Sequence, residues 1–384
     1  MADATGAARR DGFLYVREAP APARPPPQER RGLLRTLREN LFDGWRAGAL
    51  TIACVVLLAL VLPPVVRFLL IDAVWVGEDG AACRAPGAGA CWAFVWRKLP
   101  YFIYGSYPEA ERWRVDVAFL VGAALIFWLL RLGAPRRGLA ALLFFCVYPV
   151  FALPLLHGAP ALGLPLVSTD LWGGAFVSVL VAVVGMVVSL PLGVLLALGR
   201  RSSLPLLSLA CAGFIEIVRG VPMITVLFMA NTMLPLFVPE DLAPDRLLRP
   251  LIGVALFASA YMAEVVRGGL ASIPRGQFEG AAALGLSYVE TQRLVILPQA
   301  LRAVIPGVVN TFIGLFKDTT LVAVVGVFDF LRAVETARLD PAWAGPTISV
   351  TGYAFAALFY FAFCFGMSRY SLAVERRLSR GKRR

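Results

Sequence analysis

Charge is the scarcest ingredient of this chain. Only 16% of its 384 residues are Asp, Glu, Lys or Arg, against roughly 25% in an average soluble domain. Histidine is almost absent: His157 stands alone, without companions for a metal site or for Ser-His-Asp or Cys-His catalysis. Six cysteines are too few for a disulfide scaffold. No G-x-x-x-x-G-K-[ST] phosphate loop occurs, since the closing SRGKRR lacks the first glycine and the hydroxyl residue. These absences argue against a soluble domain, a metalloenzyme, a nucleophilic hydrolase and a self-sufficient ATPase. No enzyme activity, metal or cofactor is expected in this chain.

What fills the space is hydrophobic. Apolar residues make up 59% of the chain, and its mean hydropathy is +0.73. Surplus of this size belongs in lipid, which takes about 20 mainly apolar residues per helix to cross. Eight spans are expected: Ala47 to Val66, Val115 to Leu132, Gly138 to Leu156, Trp172 to Leu198, Leu206 to Pro239, Leu251 to Arg267, Val304 to Phe328 and Thr351 to Tyr370. The first is too long for a cleaved signal core.

The net charge of +12 is concentrated at the ends. Nine arginines lie at or before Arg46, and seven basic residues lie between Arg369 and Arg384. That placement orients membrane helices rather than building a phosphate-binding face, so no nucleic-acid partner is expected. Arg136, Arg137, Arg200, Arg201, Arg275, Arg293 and Arg302 mark cytoplasmic loops, whereas Glu240, Asp241, Asp245, Glu335 and Asp340 mark the opposite side. Eight spans then leave both termini in the cytoplasm.

The chain divides into a Pro/Arg-rich disordered tail (1–46), a three-helix membrane region (47–167) with an extracytoplasmic loop (72–114), a core (168–371) with a cytoplasmic loop (268–303), and a basic tail (372–384). Cys54, Cys146, Cys211 and Cys364 sit in apolar runs as buried small hydrophobes. Cys83 and Cys91 fall in the polar loop, either as an oxidised pair or as two free thiols.

Charges inside spans are costly and face a bundle interior or an aqueous path. They concentrate in the second half: Glu216 and Arg219 in span five, ahead of a kink expected at Pro222; Glu264 and Arg267 in span six; Lys317 and Asp318 halfway through span seven. As helical neighbours, Lys317 and Asp318 point about 100° apart. Each either meets a substrate with both charge signs or joins a structural ion-pair network. Arg267 could equally snorkel to the interface, and Tyr261, one turn from Glu264, could line the path or pack.

Between spans six and seven lies IPRGQFEGAAALGLSYVETQRLVILPQALRAVIP. Pro274 bars a helix from running through, Gln277 to Leu284 favours one, and Gly285 suits its C-terminal cap. Ser287 with Glu290 forms a capping box opening a second short helix, which Pro298 is expected to disrupt. The result is a compact knob, either a docking element or an amphipathic helix on lipid.

This stretch resembles the EAA loop of ABC-importer permeases: EAA, three residues, Gly, nine residues, I-x-L-P. Glu279, Ala281, Gly285, Leu297 and Pro298 match, with Ala282 inside the helix, while Gly280 and Val295 are departures. EIVRGVPMITVLF, AYMAEVVRGGLASIPRGQFEGAAALG and LFKDTTLVAVVG are similar to the polar amino-acid uptake permeases. The N-terminal spans are similar to the M-type permease of general L-amino-acid importers. The resemblance implies an all-α membrane protein with the type I ABC-importer (MetI-like) fold and three added N-terminal helices. It further implies a homologous permease partner, two copies of an ATPase that alone binds ATP and Mg, and an extracytoplasmic amino-acid-binding protein in the bacterial inner membrane. Glu216, Arg219, Tyr261, Glu264, Lys317 and Asp318 are the path candidates. The rival reading, a secondary transporter driven by an ion gradient, uses the carboxylates but leaves the loop without a task.

Overall fold

The computed structural model describes residues 40–131, 133–239 and 244–379. The tail expected before residue 40, Glu240 and Asp241 of the outer loop, and the last residues of the basic tail lie outside them. The described residues fall into two compact units, one ending at Val66 and the other starting at Arg67. The described part of the first unit centres on α1 (Gly44–Val66), with no buried residue along its length, as befits a helix apolar all round.

In the second unit, α2 (Trp92–Tyr104) precedes α3 (Arg112–Leu130). A π turn joins α4 (Arg137–Leu142) to α5 (Tyr148–His157). The core follows: α6 (Gly174–Arg200), α7 (Pro205–Gly220), α8 (Met223–Phe228), α9 (Leu248–Ala271), α10 (Arg275–Ala283), α11 (Leu297–Asp318), α12 (Phe330–Ala337) and α13 (Ile348–Ser379). Seven helices are long and apolar enough to cross a membrane, and the bent pair Pro205–Gly220 and Met223–Leu236 makes an eighth candidate. Each expected span thus has a helical counterpart. The kink at Pro222 is a turn of 108°, because the ring denies the ladder an N–H and pushes Val221 into extended backbone.

The spine of the core is α6 against α9. Gly193 permits their approach, since a Cβ there would lie 2.7 Å from the Met262 Cβ. Ala197, Ile215, Met262, Val266, Ile296 and Ala300 bury a second cluster at the Arg200 end. None of the four free cysteines is buried, contrary to expectation: Cys54 and Cys146 are exposed and Cys211 and Cys364 half-buried. An apolar run in lipid need not face protein.

The 72–114 segment is not a plain loop. Its α2 presents Phe94 and Phe102 to Phe330, Trp343 and Ile348 near the start of α13. Burying each large apolar side chain contributes roughly 1.5–3 kcal/mol. Cys83 and Cys91 are joined by a disulfide with Cα atoms 5.6 Å apart. The Gly80 amide donates to Ala342 O at 3.0 Å, Arg84 to Ala344 O at 3.0 Å, and the Cys91 amide to Thr351 Oγ1 at 2.9 Å. Lys98 and Asp340 pair at 2.5 Å, which holds the Asp340 carboxyl below its usual range.

Replacing both cysteines with serine is expected to release about 2–3 kcal/mol of loop-closure stabilisation. Amide hydrogen exchange over 74–91 should accelerate while exchange in α6 and α9 stays unchanged. Uniform acceleration would instead mean that the bridge supports the whole unit.

Asp329 is fully buried and caps α12, accepting the Leu331 and Arg332 amides at 3.0 and 3.1 Å. Burial pushes its carboxyl up to about 6. A carboxyl whose folded pKa exceeds its unfolded value of about 3.9 favours the folded state below that value, and the benefit disappears as pH rises through 6. Asp329→Asn keeps an acceptor oxygen without the charge. Its thermal midpoint at pH 7.5 should exceed the parent's by the equivalent of about 2–3 kcal/mol, with the difference closing near pH 4. A pH-independent difference would point to the cap, not the charge.

Candidate functional site

The loop between α9 and α11 folds as its residue types dictate. Pro274 leaves the chain extended (φ −60°, ψ 143°) and α10 starts behind it. At its far end the Leu286 amide donates to Ala281 O at 3.2 Å and the Gly285 amide to Ala282 O at 3.0 Å. This double closure needs a left-handed residue, and Gly285 has φ +73°. Ser287 and Glu290 form the capping box: Oγ accepts the Glu290 amide at 3.4 Å, and the Glu290 carboxylate accepts the Ser287 amide at 2.9 Å.

From there the structure departs from two separate short helices. The turn at Tyr288–Glu290 passes through a π turn, Thr291–Ile296, directly into α11. Pro298 does not disrupt it. It sits in the first turn of α11, where its missing N–H coincides with the change from the wider to the narrower ladder. The loop proper is therefore shorter than 268–303. Gln299 donates to Gln277 Oε1 at 2.9 Å, tying α10 to the start of α11.

Within this knob Ala281 is buried, Leu297 is half-buried, and Glu279, Gly280, Ala282, Gly285 and Pro298 are exposed. Leu284, Tyr288, Val289 and Leu294 are exposed apolar residues, a patch that suits a protein partner better than water. Behind it lies a cavity of about 320 Å³ lined by Leu198, Arg201, Phe278, Ala282, Leu286, Tyr288, Thr291 and Gln292. The Arg201 guanidinium stands 6.0 Å over the Phe278 ring.

Around Arg200 and Glu264, four of the six path candidates come together. Arg267 donates to Glu264 Oε1 through Nε at 2.8 Å and Nη2 at 2.5 Å. Arg219 lies 3.6 Å from the other Glu264 oxygen and 5.4 Å over the Tyr261 ring. The last residue of α6, Arg200, donates to Glu216 at 2.8 Å and lies 4.0 Å from Glu264. Three guanidinium groups thus face two carboxylates across the ends of α6, α7 and α9. Arg267 is a partner here rather than only a snorkelling side chain. Arg200 was legible only as a flanking cation, because its acidic partners come from other helices.

Lys317 and Asp318 do not join this cluster. The α ladder ends at Asp318 and tightens to a 3-10 helix over Thr319–Val325. The Lys317 side chain is exposed and the Asp318 side chain half-buried, and among the described residues neither makes an ion pair. The candidates therefore form two groups, a network at the Arg200 end and a pair farther along span seven.

Residues 189–380 match the family described as Binding-protein-dependent transport system inner membrane component. The chain is 46% identical over 364 residues to the inner membrane amino-acid ABC transporter permease protein YhdY of Escherichia coli, covering 94% of this chain and 97% of that protein. It is 39% identical to the glutamate/glutamine/aspartate/asparagine transport system permease protein BztC of Rhodobacter capsulatus, over 96% of this chain and 99% of that one. A crystal structure of an amino acid ABC transporter with histidines aligns with 53% of this chain and 92% of that chain, at 26% identity and a TM-score of 0.46.

Proposed function

This chain belongs to the binding-protein-dependent transport inner membrane components and is the permease subunit of an amino-acid ABC importer, and from that premise we propose which of its parts dock the ATPase and which carry the solute. The knob formed by Arg275 to Pro298 is the docking element. The observation that carries this is the exposed apolar set Leu284, Tyr288, Val289 and Leu294 on a rigidly capped turn.

Two copies of a separate ATPase bind ATP and Mg, and this chain itself needs no cofactor. The Arg200 end faces the cytoplasm together with both termini. A homologous permease completes the membrane part, and an extracytoplasmic binding protein delivers the solute. The carried class is polar L-amino acids, in keeping with the substrates for which the Rhodobacter relative is named.

In this reading the ATPase pulls on α10, and α11 moves with it because the two are tied through Gln277 and Gln299. The Arg200–Glu216–Arg219–Glu264–Arg267 network sits where α6, α7 and α9 would part, and serves as the inner closure of the path. Lys317 and Asp318 lie on the path beyond it. A ligand shifts such an equilibrium only through contacts that differ between the two states, and these ion pairs are contacts of that kind.

The test is uptake by the assembled importer in proteoliposomes. Uptake should require internal ATP and persist with a proton uncoupler. Transport that survives ATP depletion and collapses with the uncoupler would restore the ion-gradient reading.

A further inference from the structure

Three membrane helices, α3, α4 and α13, meet at a patch of arginines. Arg131 follows the last residue of α3, Arg136 and Arg137 open α4, and Arg377 lies close to the end of α13. Contacts distant in sequence bring them together. The Tyr370 hydroxyl donates to Leu130 O at 3.1 Å, and Arg377 Nη1 stands 4.0 Å from where a Gly133 Cβ would lie. The loop between α3 and α4 is closed on itself: Trp128 Nε1 donates to Pro135 O at 3.0 Å, and Arg137 donates to Arg131 O. Among the described residues, Arg136 is the one non-glycine with a left-handed φ, +50°. A cation is thus kept where glycine would adopt the turn freely.

All four arginines are exposed, and none pairs with a carboxylate of a described residue. Glu375, two residues before Arg377, projects from nearly the opposite side of α13 and pairs with none of them. Like charges held this close repel, and an anion bound among them relieves the repulsion. Toward the membrane the surface turns apolar. Phe127 and Leu130 on α3, Leu139 and Leu142 on α4, and Leu372 on α13 are all exposed.

We propose that Arg131, Arg136, Arg137 and Arg377 hold the phosphate of an anionic phospholipid whose acyl chains lie along this apolar surface, so that the lipid joins α3 and α4 to α13. The guanidinium fork matches phosphate oxygens two at a time, and basic pockets between membrane helices recognise anionic head groups. A free phosphate would leave the apolar flank unused. A zwitterionic lipid carries an ammonium that offsets its own phosphate. The proposal takes from the family only that the chain sits in a membrane, and it is independent of which solute is carried.

The complete importer, purified in detergent, is titrated with dioleoylphosphatidylglycerol or dioleoylphosphatidylcholine, and bound lipid is counted by native mass spectrometry. The parent should bind the anionic lipid saturably and at least about tenfold more tightly than the zwitterionic one. The double variant Arg136→Gln, Arg377→Gln should weaken binding of the anionic lipid at least about tenfold while still co-purifying with the ATPase. A control with the same loss of charge at two exposed arginines elsewhere, Arg97→Gln with Arg302→Gln, should bind like the parent. Equal binding of the two lipids by the parent would overturn the proposal without recourse to any variant. Equal weakening in the control would reduce the effect to diffuse surface charge, and displacement of the lipid by inorganic phosphate would make free phosphate the ligand. Loss of the ATPase from the double variant would assign the patch to that protein instead.

Discussion

Gly285→Asp is expected to reduce ATP-driven amino-acid uptake to background while the protein still inserts and assembles its membrane helices. Nothing lies within 4 Å of where the new Cβ would stand, so no clash spreads into the bundle. The backbone at φ +73° costs an ordinary side chain roughly 1–2 kcal/mol, and aspartate tolerates that region better than most. Strain alone is then too small to unfold the chain. The damage comes from a carboxylate placed on the exposed turn between Leu284 and Tyr288, where an apolar partner surface would have to desolvate it. Gly285→Asn separates the two causes, since it has nearly the same shape and the same backbone tolerance without charge. Uptake in the asparagine variant should exceed that of the aspartate variant by at least about tenfold, a difference of only about 1.4 kcal/mol at the interface. Equal loss in both would assign the effect to backbone geometry, and normal uptake in both would remove the docking role from this turn.

Glu264→Gln should be the most destabilising isosteric change in the core. One carboxylate there accepts two bonds from Arg267 and stands opposite Arg219 and Arg200. Breaking a buried ion pair from one side costs about 3–5 kcal/mol because the remaining charges lose their compensation. Glu264 is 25% exposed, which places the expected cost nearer 2–3 kcal/mol. Glu216, at 66% exposure, should cost no more than about 1 kcal/mol on the same substitution. Thermal inactivation midpoints of the two variants in one detergent check the ranking. Comparable shifts would mean that the network is solvated throughout and closes nothing.

Much of this architecture can be read from the chain because lipid imposes a simple rule. Mainly apolar runs near 20 residues have one use, and each of the eight expected spans has a helical counterpart. Caps are local too, so Gly285 and Ser287 with Glu290 reveal their turn without tertiary information. What escaped depended on contact between distant residues. The 13 residues of α2 include Arg97, Lys98 and Pro100, too polar for a span, and only the aromatic cluster with Phe330 and Trp343 explains why this helix docks and buries Phe94 and Phe102. Arg200 looks like any flanking cation until α7 folds back and sets Glu216 against it. Pro298 misleads for the opposite reason: proline is read as a stop, yet in a first turn after a π ladder it has no hydrogen bond to forfeit.

The disulfide-bearing segment bonds to Ala342, Ala344 and Thr351, about 260 residues later in the chain. Contacts so distant in sequence form late, because the loop they close must first be ordered. The Cys83–Cys91 bridge spans only eight positions and needs nothing downstream to form. As the chain emerges, oxidation can therefore close the local loop long before its docking surface exists. The last span then completes two surfaces in one insertion event. A truncation ahead of Phe330 would strand Phe94 and Phe102 without Phe330 and Trp343 beside a covalently finished loop, an exposed aromatic surface for quality-control proteases to recognise.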